Sequence, residues 1–231
     1  FVRVDSRKMP YDIFVYTKGM ELHDGDKVVV KIKEWPADTK SPTGEIIDVL
    51  GPAGDNDTEM HAILAEFNLP YKYPEGVEKA ADAIPELIPA EEIARRRDFR
   101  GVTTFTIDPA DAKDFDDALS IRPVGENRWE VGVHIADVTY YVQEESIIEA
   151  EGRERATSVY LVDRTIPMLP EKLSNYLCSL RPDEEKLCFS AVFEMDADLN
   201  ITNEWLGRTV IRSDRRFTYE EAQRIIETGE G

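Results

Sequence analysis

The stretch Val102-Thr103-Thr104-Phe105-Thr106-Ile107-Asp108-Pro109-Ala110-Asp111-Ala112-Lys113-Asp114-Phe115-Asp116-Asp117-Ala118-Leu119-Ser120-Ile121 runs from a β-rich strand through an acidic loop into a second strand. Five aspartates fall within ten residues, Asp108 to Asp117. Crowded carboxylates repel one another, and a cation placed among them cancels that cost. Oxygen donors of this kind suit magnesium or manganese. In an extended loop Asp114 and Asp116 share one side and Phe115 takes the other. Asp108 ends the strand, where a rigid backbone aims it. A solvated acidic turn is the plain alternative. A calcium loop of the EF-hand type fails, because Lys113 stands where its glycine belongs and Leu119 where its glutamate belongs. The opening of a haloacid-dehalogenase phosphatase fails too. Ala110-Asp111-Ala112-Lys113 precedes Asp114 in place of a hydrophobic strand, and Asp117 occupies the glycine position.

Outward from this loop, a domain beginning near Gly101 continues with a third strand, Trp129 to Ile135, and an amphipathic helix, Ser146 to Ala156. Ala191–Met195 and Ile201–Ile211 predict an antiparallel pair joined by Asp198-Leu199-Asn200. Thr218 and Glu221 have the spacing of a capping box at the start of a last helix. His134 lies in an apolar strand and is expected to be a buried, satisfied residue. Upstream, residues 1–51 are short alternating strands broken by turns at Asp24-Gly25-Asp26 and Ser41-Pro42-Thr43-Gly44. They predict a small antiparallel β-barrel of the OB type, with a β-sandwich as the alternative. Residues 52–100 read as a helical, proline-rich connector. It holds a helix from Asp57 to Asn68, with Met60, Ile63, Leu64 and Phe67 on one face. A short helix ends in Arg95-Arg96-Arg97, which complements a helix dipole or touches phosphate. The class is therefore α+β, with residues 101–231 a mixed α/β domain.

Bulk properties narrow the function. The 231 residues carry a formal net charge of −19, which argues against a broadly basic nucleic-acid-binding surface. The charge is uneven. Residues 1–50 hold eight Lys and Arg against nine Asp and Glu, and the rest holds twenty against thirty-eight. The near-balanced first segment leaves room for a locally basic face there. No apolar run approaches the ~18 residues of a membrane span. Two cysteines, Cys178 and Cys188, make neither a disulfide framework nor a zinc site, and a reducing cytoplasm is the expected setting. The chain begins with Phe1 rather than Met, and the expectation is a piece of a longer protein.

Four blocks then carry a resemblance. They are Thr106–Pro109 with Lys113–Leu119, Val133–Val142, Ala156–Tyr160, and Ile166–Ser174 with Leu177–Leu180. In this order and spacing they resemble the catalytic domain of the RNase II/RNase R family, nearer its RNase R branch. Phe1 to Gly51 resembles that branch's second cold-shock domain. The resemblance implies a metal-dependent hydrolytic exoribonuclease, degrading single-stranded RNA processively from the 3′ end to nucleoside 5′-monophosphates. It implies active-site and metal-binding roles for Asp108, Asp114, Asp116 and Asp117, with Mg2+ as cofactor and Mn2+ as the alternative. Asp111 matches no role. Tyr160 matches an aromatic that stacks on a terminal base. Phe14, Tyr16, Lys31, Lys33 and Trp35 are the candidates for single-strand binding on the cold-shock segment. No protein partner and no membrane is implied. The family's later arginine and its basic C-terminal domain have no counterpart here, so the 231 residues alone are expected to be inactive. The competing function is an RNA-binding protein on a degenerate nuclease scaffold, which loss of the acidic cluster would mark.

Overall fold

The computed structural model describes residues 1–6, 9–17, 19–162 and 164–230. The chain divides into two units between Lys72 and Tyr73.

In the first unit, β1 (Phe14–Val15), β2 (Asp26–Glu34) and β3 (Thr43–Pro52) form one sheet in the order β1-β3-β2. β2 and β3 are antiparallel, but β1 lies parallel to β3, and the described strands do not close into a barrel. The expected Phe1–Val4 strand is reduced to one antiparallel bridge, Val2 to Ile13. Ile13, Val15 and Ile46 are the buried apolar core. Helix α1 (Asn56–Glu66) lies within this unit. Asp55 caps it, accepting the amides of Asp57 and Thr58 at 3.1 and 3.2 Å, and Lys27 of β2 pairs with Glu59 at 2.6 Å. Of the apolar residues read as one face of this helix, Leu64 is buried while Ile63 and Phe67 are exposed.

The second unit is built on seven strands. They are β4 (Arg97–Asp98), β5 (Thr104–Asp108), β6 (Asp117–Gly125), β7 (Arg128–Ala136), β10 (Glu185–Asp196), β11 (Ile201–Arg212) and β12 (Arg215–Thr218). Their order is β12-β5-β6-β7-β10-β11-β4, antiparallel throughout except for parallel edge pairs β12–β5 and β11–β4. A two-stranded ribbon, β8 (Val159–Tyr160) and β9 (Thr165–Ile166), stands apart. Helices α2 (Glu75–Asp82), α3 (Ala90–Ala94), α4 (Val138–Tyr141), α5 (Ile147–Arg155) and α6 (Tyr219–Thr228), with a π-helical segment Lys172–Leu177, complete the unit. Ser146 and Thr218 cap α5 and α6, and the Thr218–Glu221 capping box is formed.

Val77 and Ala81 of α2, Ile148 of α5, and Leu173 and Leu177 of the π-helical segment bury Phe99, Ala118, Cys188, Val192 and Ile211. At ~1.5–3 kcal/mol for each fully buried large side chain, this layer is the main source of stability. Ile121, Ile135, Phe189 and Leu206 project from the opposite face of the sheet and are exposed. Among the described residues no helix is long and apolar enough to cross a membrane.

The Arg95-Arg96-Arg97 triplet serves the fold. Arg96 is buried and pairs with Glu92 at 2.7 Å and Asp137 at 2.8 Å, and Arg97 pairs with Glu130. Two of its three guanidinium groups are therefore committed to carboxylates, because the chain enters β4 at Arg97 instead of continuing the helix.

Candidate active site

Asp108 closes β5 opposite Thr218 of β12, and Asp117 opens β6 opposite Ile135 of β7. The loop between them is held from two sides. Ala112 donates its amide to the Pro109 carbonyl at 3.1 Å, and Arg216 of β12 donates to the same carbonyl. The Arg216 guanidinium also lies 5.0 Å from the centre of the Phe115 ring. Phe115 is buried, as expected of a residue facing away from Asp114 and Asp116. Its amide donates to Ser179 Oγ at 3.0 Å, that hydroxyl donates to the Lys113 carbonyl at 2.8 Å, and the Leu180 amide reaches the Phe115 carbonyl at 2.8 Å. Ala136 donates its amide to the Asp116 carbonyl at 3.0 Å.

The carboxylates differ in environment. Asp108 is buried, and among the described residues its Oδ2 has no hydrogen-bond partner. Burial holds its carboxyl above the usual range, with the charges of Asp117 and Asp114 adding to it, against the opposing pulls of the neighbouring Thr106 hydroxyl and then of Arg216. Asp116 has an exposed side chain, yet the surrounding protein disfavours its charge. Asp114, Asp117 and Asp108 add to this, so its carboxyl too is raised. The four candidates thus feel one another as like charges. Among the described residues, however, no three Asp, Glu, His or Cys side chains converge into a ready-made cation cage. The all-oxygen donor set and the buried, unpartnered Asp108 oxygen fit a hard divalent cation in chemistry. Asp111 is exposed and outside the grouping.

Tyr160, on β8, donates its hydroxyl to Asp114 Oδ2 at 3.0 Å, and the residue is 67% exposed. Partial burial and this carboxylate hold its phenol above the ordinary value. His134 is not part of the site. It is fully buried, with Nδ1 2.7 Å from Ser190 Oγ and Nε2 2.8 Å from Ser120 Oγ. Cys178 and Cys188 are free, buried thiols whose pKa values burial pushes up.

In the first unit, Phe14 and Tyr16 meet edge to face at 5.1 Å, and Phe1 adds a third ring 5.2 Å from Phe14. Tyr16 is 76% exposed. Trp35 is half exposed, with Tyr11 edge-on at 6.2 Å. Lys31 is exposed, whereas Lys33 is tied to Glu45 at 2.6 Å. Phe1 and Tyr11 extend the aromatic surface beyond the residues expected from sequence. Ser179 and Arg216 were not expected either. They lie 64 and 107 positions from the loop atoms they hold, and only the block Leu177-Cys178-Ser179-Leu180 hinted at the first.

Residues 96–231 match the model of the RNB domain, and residues 1–74 that of the cold shock domain. The chain is 45% identical over 206 residues to ribonuclease R of Aquifex aeolicus, covering 89% of this chain and 29% of that protein. Among solved structures it resembles Mycoplasma genitalium RNase R in complex with double-stranded RNA, with a TM-score of 0.84 and 26% identity over 96% of this chain and 40% of that one. It also resembles yeast Ssd1, a pseudonuclease, with a TM-score of 0.72 and 25% identity over 99% of this chain and 30% of that one. The chain therefore spans less than a third of the length of the Aquifex relative.

Proposed function

Because the chain belongs to the RNB-domain family, we propose that it carries the acidic half of a metal-dependent exoribonuclease active site together with a single-strand-binding unit. The activity proposed for the whole protein is hydrolytic, processive degradation of single-stranded RNA from its 3′ end to nucleoside 5′-monophosphates, in the cytoplasm. The observation that carries this is the stapled loop. Asp108, Asp114, Asp116 and Asp117 are all present, electrostatically coupled, and joined to an exposed aromatic ring through the Tyr160–Asp114 hydrogen bond.

In this proposal the four aspartates hold Mg2+, or Mn2+ in its place. When bound, the cation stabilises the negative charge that develops on the phosphodiester. Tyr160 anchors its hydroxyl on Asp114 and offers its ring to the terminal base, and stacking on a ring accepts any base. Asp108, aimed by β5 and lacking a protein partner at Oδ2, is the fixed ligand. Exposed Tyr16 and Trp35 and half-buried Phe14 offer stacking surfaces to single-stranded RNA, with exposed Lys31, and Lys33 on exchanging Glu45 for RNA, beside its phosphates. The 231 residues alone bind these groups without trimming RNA.

The test is incubation of the full-length protein with 5′-labelled single-stranded RNA and Mg2+, beside Asp116→Asn. Shortening from the 3′ end to a small limit product, lost in the variant, supports the exonuclease. The likeness to Ssd1 favours a second function, RNA binding on a nuclease scaffold that does not cleave. RNA that stays intact while bound would establish that function instead. Trimming by the 231 residues alone would refute their proposed inactivity.

A further inference from the structure

We propose that Ser179 is a positioning residue that sets the geometry of the acidic loop, and through it the affinity of the site for its divalent cation. The inference rests on the loop being the metal-dependent centre proposed above. Ser179 is fully buried, in the turn between the π-helical segment and β10. Its hydroxyl spends its proton on the Lys113 carbonyl and accepts the Phe115 amide. The two bonds straddle Asp114, so that residue's backbone is clamped on both sides by one side-chain atom. Asp116 follows directly after the clamp, and the Leu180 amide fixes the Phe115 carbonyl. Phe115, buried beneath, keeps the loop from rotating about the clamp.

This arrangement resolves a physical difficulty. Like charges push Asp108, Asp114, Asp116 and Asp117 apart. A loop free to move would relieve that repulsion by swinging its acids outward. It would then pay to bring them back around a cation. A clamp on the main chain removes that freedom beforehand, and displacing such a site by ~1 Å is enough to cost ~100-fold in rate. Ser179 touches none of the carboxylates in its recorded bonds, so its effect passes through the backbone alone.

The variants are Ser179→Ala, which removes both bonds, and Ser179→Thr, which keeps the hydroxyl, made in the full-length protein. Three measurements separate the outcomes. Hydrogen exchange over residues 109–117 reports on the clamp directly. Exchange should be at least tenfold faster in Ser179→Ala and near wild type in Ser179→Thr. Mn2+ titration followed by electron paramagnetic resonance reports on the site. Ser179→Ala should bind at least tenfold more weakly, with Ser179→Thr restored, while thermal unfolding shows both variants folded. In RNA degradation the Mg2+ concentration for half-maximal rate should rise in Ser179→Ala, and RNA affinity should not. If wild type binds Mn2+, loses it on Asp116→Asn, and Ser179→Ala binds as wild type does, the positioning role is overturned while the metal centre stands. If wild type shows no Asp116-dependent Mn2+ binding, the metal centre itself fails and the inference fails with it. If Ser179→Ala is unfolded, the Thr variant decides: weak Mn2+ binding by a folded Ser179→Thr would refute the hydroxyl's role.

Discussion

Acidification should destabilise the second unit through one residue, His134. Its imidazole is fully buried in β7, the central strand, and bridges Ser120 of β6 to Ser190 of β10, whose hydroxyl lies 2.6 Å from that of Thr209 on β11. Burial lowers its pKa from 6.5 to about 4. The folded state therefore binds fewer protons than the unfolded state between those values. Above pH 6.5 both states hold a neutral ring and nothing is lost. Stability then declines as pH falls through the window, and the loss is complete near pH 4. At ~1.4 kcal/mol per decade of proton affinity the full loss is ~3 kcal/mol. For a unit of this size that corresponds to a fall in Tm of roughly 6–12 °C. The assay is chemical denaturation from pH 7 to 4 for wild type and His134→Gln. Carboxylates titrate in both proteins, so the difference between the two curves isolates the histidine. Three histidines, His23, His61 and His134, make the ring resonances assignable by NMR. A His134 resonance titrating near 6.5, or parallel stability curves in the two proteins, would refute the reasoning.

Asp137→Ala should destabilise by ~1.5–3 kcal/mol in urea unfolding, because it takes from the buried Arg96 guanidinium the charged partner that it meets at 2.8 Å and leaves Glu92 as its remaining carboxylate. Arg96→Met in the same background should recover part of the loss. Tyr160 separates anchoring from stacking. Tyr160→Phe removes only the exposed hydrogen bond to Asp114 and should cost less than ~1 kcal/mol of RNA affinity, whereas Tyr160→Ala should cost ~1–3 kcal/mol by losing the ring, both read from fluorescence anisotropy of labelled RNA. Equal effects would mean that the ring does not stack.

Local signals were legible where the physics is local. The capping boundaries at Ser146 and Thr218 depend on residues three apart, and both helices start there. Asp108 and Asp117 fall at strand ends because the β-rich runs on either side are continuous in sequence. Phe115 faces inward, opposite Asp114 and Asp116, as two-residue alternation requires. Tertiary partners overrode composition elsewhere. Arg96 and Arg97, expected to serve a dipole or a phosphate, meet carboxylates at positions 92, 137 and 130 instead. Among the short strands expected of an antiparallel barrel in residues 1–51, the two-residue β1 instead lies parallel to β3.

By itself the sequence determined that the chain is α+β, that aspartates crowd one loop between two strands, and that His134 is structural. These follow from alternation, like-charge spacing and the cost of burying an isolated polar ring. Only the tertiary structure decided what holds the loop. Ser179 and Arg216 reach it across 64 and 107 positions, and hydrogen bonds of that span are set by strand order and sheet register, which no local periodicity encodes.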